Sequence, residues 1–114
     1  MTEVHLVKLK FKPGSGKAEW LAWCDELKKR KDEVLTTLRN EGVHLEACFL
    51  SEEEDSVYYF MEVEDLKKDY AVFEKSTIPV DREHEKVKAS AFVGEVELRK
   101  LFDFQDKTWE RFSN

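Results

Sequence analysis

Residues 43–63 read VHLEACFLSEEEDSVYYFMEV. Two apolar runs flank a polar stretch, the pattern of an antiparallel hairpin with a longer loop. In the second run Val57, Tyr59, Met61 and Val63 point one way and Tyr58 and Phe60 the other, because side chains alternate across a strand. In the first, Val43, Leu45, Ala47 and Phe49 oppose Cys48 and Leu50. An antiparallel sheet with helices on one side should keep a polar face on the other. Neither run has one, so the reading predicts that something covers both faces.

The flanking sequence completes the fold. Upstream, residues 3–11 alternate Val7, Leu9 and Phe11 with Lys8 and Lys10, a further strand. Lys12-Pro13-Gly14-Ser15-Gly16 is a loop. Residues 18–41 predict one long helix, with Trp20, Cys24, Leu27, Lys31, Val34 and Leu38 on a single stripe and Gly42 at the C-cap. Downstream, residues 64–75 predict a shorter helix with Leu66, Tyr70 and Phe73 on one face. After a break at residues 76–80, Asp81 caps a third helix over 82–92, which Gly94 ends. Residues 95–104 predict the last strand, with Val96, Leu98, Phe102 and Phe104 on one face. The order is that of an α+β, ferredoxin-like β-α-β-β-α-β domain over residues 1–104, with a four-stranded antiparallel sheet. A tail over 105–114 keeps Trp109 and Phe112, which are expected to cover the sheet or a partner subunit. Two such sheets packed face to face would bury the second apolar surface, so a symmetric homodimer is expected.

Composition narrows the partners. The chain has 114 residues, of a size for one domain, and a net charge of −6. Binding to nucleic acid or anionic membranes begins with a basic face, so neither is expected as a partner. The run Lys28-Lys29-Arg30-Lys31 spreads around a helix and reads as a solvated surface. No apolar run approaches the ~18 residues of a membrane span. Two cysteines without a Cys-x-x-Cys pair, and no leader pattern, point to a cytoplasmic protein. No phosphate-binding glycine loop, nucleophile elbow or dinucleotide fingerprint is present.

Candidate chemistry is sparse. His84, between Glu83 and Glu85, has the composition of a general base with a carboxylate nearby. Glu46 and Glu62 share strand faces with apolar neighbours, where a raised pKa would suit acid–base work; cross-strand ion pairs are the structural alternative. These three are the candidate catalytic residues. Lys31 falls on the apolar stripe of the long helix and, with Arg30, is a candidate for binding an anionic group; Tyr59 and Trp20 are candidate pocket walls. His5 and His44 are isolated on strands and no metal centre is expected. The Glu52–Asp55 turn lacks the alternating ligands and glycine of a calcium loop. Cys24 reads as core packing.

The opening LVKLKFKPG, the tryptophan-bearing long helix, NEGV before the second strand, YYFMEVEDL through the third and the PVDREH start of the last helix resemble an uncharacterised family of the dimeric α/β-barrel superfamily. The resemblance spans roughly residues 4–104. It implies a dimeric barrel and a pocket between each sheet and its helices. The wider superfamily includes cofactor-free monooxygenases, haem enzymes, lactone isomerases and sugar mutarotases. The mutarotases are similar in layout but carry a histidine in the first helix, where residues 20–41 here have none. Three functions follow as expectations: a small-molecule binding protein without cofactor; a cofactor-independent isomerase or monooxygenase-like enzyme; or a structural dimerisation domain.

Overall fold

A computed structural model describes residues 2–106 and 108 of the chain. The elements run β1 (Glu3–Phe11), α1 (Gly16–Lys29), α2 (Lys31–Glu41), β2 (Val43–Ser51), β3 (Ser56–Val63), α3 (Leu66–Lys75), α4 (Pro79–Ala91) and β4 (Phe92–Glu97). The strands form one sheet in the order β2-β3-β1-β4, every neighbouring pair antiparallel. This is the ferredoxin-like β-α-β-β-α-β architecture, each helical unit a crossover on the same face.

The register sorts the side chains. His5, Val7 and Leu9 of β1 lie opposite Met61, Tyr59 and Val57 of β3, and this face meets the helices. Leu6, Lys8, Phe60 and Tyr58 lie on the other face. The main core packs Leu9, Phe11 and Val57 from the sheet against Trp20 and Trp23 of α1 and Val80 and Ala91 of α4. Phe92, at the start of β4, stacks on Phe11 at 5.3 Å. Gly16 admits α4 to the start of α1: a Cβ there would sit 2.4 Å from the carbonyl oxygen of Ala91. Gly42 ends α2 in the left-handed region, φ 73°, which glycine adopts without strain.

Several boundaries differ from the sequence reading. The long helix over 18–41 is two helices, interrupted at Arg30, whose φ −107° and ψ 34° leave the helical region. The backbone N–H of Arg30 still bonds to the carbonyls of Glu26 and Leu27, so the joint is tight. Its guanidinium holds Glu33 of α2 at 3.0 Å and Glu83 of α4 at 2.6 Å. The apolar stripe does not report this break, because tertiary ion pairs favour it.

The last helix begins earlier than expected. Pro79 occupies its first turn, where the missing N–H costs nothing, and Asp81 is not a cap but a buried residue of that turn. The last strand is shorter and earlier, ending at Glu97, and Gly94 lies inside it. Leu98 still bonds β1 through its N–H to the carbonyl of Leu6, but residues 99–106 leave the sheet. Phe102 and Phe104 stack on each other at 5.1 Å instead of lining a strand face. A shift of register between Val43 and Leu45 turns Val43 inward, 6 % exposed, away from the face of Leu45 and Phe49. Trp109 and Phe112 lie outside the described residues.

Candidate functional site

Between the inner face of the sheet and helices α2, α3 and α4 lies a cavity of about 130 Å³. Its apolar wall is built by Val7, Leu27, Val34, Met61, Phe73 and Val80, with the side chains that periodicity aims inward. Its polar groups fall into two sets.

The first set surrounds His84. The indole N–H of Trp23 donates to His84 Nδ1 at 2.9 Å. The Trp20 ring meets the imidazole edge-on at 5.6 Å, and Tyr59 does so at 6.2 Å. Burial among these rings, and Lys88 nearby, push the histidine pKa down to about 4. His84 is therefore neutral at physiological pH. With Nδ1 accepting from Trp23, its proton is on Nε2, so the ring offers a donor. Beside it, Tyr59 hydrogen-bonds Glu46. Burial raises the Glu46 pKa against that bond, and raises the Tyr59 phenol as well.

The second set is a chain of buried oxygens. Asp81 Oδ2 is 2.5 Å from the hydroxyls of both Thr37 and Ser76. Thr37 Oγ1 also lies 2.9 Å from Glu41 Oε1. Glu41 in turn hydrogen-bonds Asp69. The three acids are 3 %, 6 % and 2 % exposed for Asp81, Glu41 and Asp69, which places them in the interior. Burial, aided by the Asp69 contact, pushes Glu41 up to about 9, and burial raises Asp69 too. Asp69 Oδ1 is buried and receives no N–H or hydroxyl donor among the described residues.

Of the residues singled out from sequence, His84, Glu46 and Tyr59 line this one cavity. The others lie elsewhere. Glu62 is on the opposite sheet face and accepts from Thr2 at 2.7 Å, so it cannot work with His84. Glu83 and Glu85, expected to flank the imidazole, point away and pair with Arg30 and Arg82. Arg30 is engaged by Glu26, Glu33 and Glu83 and packs over Trp23 at 5.9 Å, an interhelix clamp away from the cavity wall. Lys31 is exposed at the start of α2, because the break at Arg30 turns it off the stripe. Trp20, 1 % exposed, backs His84 without lining the cavity.

Sequence reasoning passed over Thr37, Glu41, Asp69, Asp81 and Lys88. A signal existed for Asp69: three residues after Leu66 and four before Phe73, it sits on the apolar face of α3. Glu41 read as the end of a helix and Asp81 as a cap. Burial raises both thiols, Cys48 to about 11, so neither has nucleophile character at neutral pH. His5 pairs with Glu3 and Glu97, and His44 with Glu64. Among the described residues no group of three or more His, Cys, Asp or Glu is arranged to hold a metal ion, and no helix is long and apolar enough to cross a membrane.

The four-stranded antiparallel sheet with its helices on one face defines a ferredoxin-like α+β fold. Three solved structures share the architecture. One, from Bacteriodes thetaiotaomicron VPI-5482, is provisionally described as an antibiotic biosynthesis monooxygenase (TM-score 0.60, 14 % identity, 92 % of this chain and 94 % of that one). Another is L-rhamnose mutarotase from Formosa agariphila (TM-score 0.58, 18 % identity, 90 % and 99 %). The third is an uncharacterized NIPSNAP domain protein from Burkholderia xenovorans (TM-score 0.53, 15 % identity, 92 % and 100 %). No curated protein matches the sequence. Residues 2–107 match the Family of unknown function (DUF6176), and the chain belongs to that family.

Proposed function

We propose that this protein binds a small molecule in the cavity between its sheet and helices, acting as a cytoplasmic homodimer. The observation that carries the reading is the cavity itself: apolar walls with a few convergent polar groups, His84, Tyr59 and Glu46 among them, are the ordinary form of a small-molecule site. At identities of 14–18 % the structural neighbours supply the fold and no activity. The dimer rests on the outer sheet face, where Leu45, Phe49 and Val96 stay 48 %, 61 % and 59 % exposed in a single chain. A partner's sheet is the simplest cover. The cytoplasmic placement rests on the unpaired Cys24 and Cys48.

The test is a thermal-shift screen against amines, sugars, carboxylic acids and aromatic metabolites. A ligand at a hundred times its Kd stabilises the fold by about 2.7 kcal/mol. Tyr59→Phe and His84→Gln should reduce the shift. A flat response across the panel counts against the reading and favours a structural dimerisation domain. Light scattering after size exclusion should give twice the chain mass.

A second reading, a cofactor-independent isomerase, is favoured by one observation. Glu46, with a raised pKa, and neutral His84 line the same cavity, so one can give or take a proton while the other donates a hydrogen bond. Its measure is solvent deuterium uptake by a bound ligand, abolished in Glu46→Gln.

A further inference from the structure

The buried oxygen chain is costly to the fold, and packing does not account for it. Four contacts run along it: Asp69 to Glu41, Glu41 to Thr37, Thr37 to Asp81, and Asp81 to Ser76. Each needs one hydrogen between its oxygens. Thr37 and Ser76 supply one each, so two must come from carboxyl groups. Two protons shared by three acids leave a single negative charge on these buried side chains. At the cavity end of this oxygen chain is Asp69, 2 % exposed, whose Oδ1 is buried and receives no N–H or hydroxyl donor among the described residues. A buried carboxylate oxygen that takes no N–H or hydroxyl donor costs stability, and a donor from a ligand in the cavity would offset that cost.

The surroundings say what that is. The titratable groups facing the chain across the cavity are Glu46 from β2, Tyr59 from β3, Glu95 from β4, Tyr70 from α3, and His84 and Lys88 from α4. Lys88 is within 3.7 Å of Glu95, and His84 is neutral. The field in the cavity is therefore acidic, and it favours a cation over an anion or a neutral donor. A space of about 130 Å³ compares with the roughly 150 Å³ apolar cavity that holds benzene, so the guest is about the size of a six-membered ring.

We propose that the cavity takes the protonated amine of a small organic molecule, its ammonium seated against Asp69 Oδ1 and the Glu41–Asp69–Asp81 chain, its carbon skeleton against Val7, Val34 and Phe73. This rests on the cavity being a ligand site and names the class of ligand. Seating a cation lowers the proton affinity of the neighbouring acids, so binding releases protons.

The experiment is calorimetric titration of the full chain with cyclohexylamine, cyclohexanol and cyclohexanecarboxylate at pH 7, in two buffers of different ionisation enthalpy. The amine should bind at least about tenfold tighter than the alcohol, with the carboxylate weakest. The buffer dependence should report about one proton released per amine bound. Asp69→Asn should abolish the preference for amine while keeping the affinity for the alcohol. Glu41→Gln should lower the proton release, and serves if Asp69→Asn does not fold. Cyclohexanol binding as tightly as the amine, or amine binding without proton release, overturns the amine assignment and leaves the pocket reading standing. So does a thermal-shift panel in which only sugars or acids bind. No binding by any compound in either experiment overturns both.

Discussion

The two faces of the sheet each depart from the usual division into buried apolar and exposed polar side chains. The inner face, against the helices, meets Glu41, Glu46, Asp69 and Asp81 in or beside the interior. The outer face, open in a single chain, presents Leu45, Phe49 and Val96. A domain selected only to be a stable monomer would bury the apolar set and expose the acids. The function proposed above gives each face a partner: a ligand in the cavity and a second sheet on the outside.

The comparison breaks most visibly under a charge placed on each face. Val57→Asp, on a residue 1 % exposed in the core, should cost more than about 4 kcal/mol and leave the chain unfolded by circular dichroism. Phe49→Asp, 61 % exposed, should leave a folded chain and convert a dimer to a monomer in light scattering. A folded, dimeric Phe49→Asp protein would show that the outer face needs no partner.

Acid titration sharpens the account of the inner face. The His84 pKa is about 4 folded, against an ordinary 6.5, so the unfolded chain binds its proton first. Stability from this group is full above pH 6.5 and falls as the pH drops toward 4, by up to about 3 kcal/mol. Urea midpoints measured over that range should flatten in His84→Gln. Equal slopes in the two proteins would place the imidazole in water.

Glu41 acts in the opposite direction. Its folded pKa of about 9 exceeds the ordinary 4.5, so the native state binds the proton and loses stability as pH rises from 4.5 through 9. Glu41→Gln keeps the hydrogen-bonding shape without the ionisation. It should raise stability at pH 8 by about 2 kcal/mol and remove the alkaline decline. Unchanged denaturation at pH 8 would mean that Glu41 is solvated. The smallest effect belongs to Glu62→Gln, on the outer face with Thr2 hydrogen-bonded to it: a change within about 0.5 kcal/mol and no effect on ligand binding.

The fold was legible because it is written in local periodicity. The alternation in β1 and β3, the stripe from Trp20 to Leu38 and the helix-ending Gly42 are short-range patterns, and the element order follows from them. Where the reading slipped, a tertiary contact outweighed the pattern. Arg30 breaks the helix because Glu33 and Glu83 hold its guanidinium; β4 stops at Glu97 because, after the Leu98 N–H bond to Leu6, the chain leaves β1. The site was legible only in part. His84, Glu46 and Tyr59 were accessible as polar or aromatic residues in apolar settings. Asp69 carried a signal on the apolar face of α3, but Asp81 lies in the first turn of α4, where acids are commonplace, and Glu41 read only as the end of a helix.

By itself the sequence determined one acidic α+β domain, the strand and helix order, and the two-faced apolar character of the hairpin, because composition and period are local properties. Only the tertiary structure decided which carboxylates are buried together. Glu41, Asp69 and Asp81 are far apart in the chain, and they meet because α2, α3 and α4 pack on one face of the sheet. A pKa is a property of that meeting: burial and a neighbouring acid set it, and neither exists until the helices have closed over the strands.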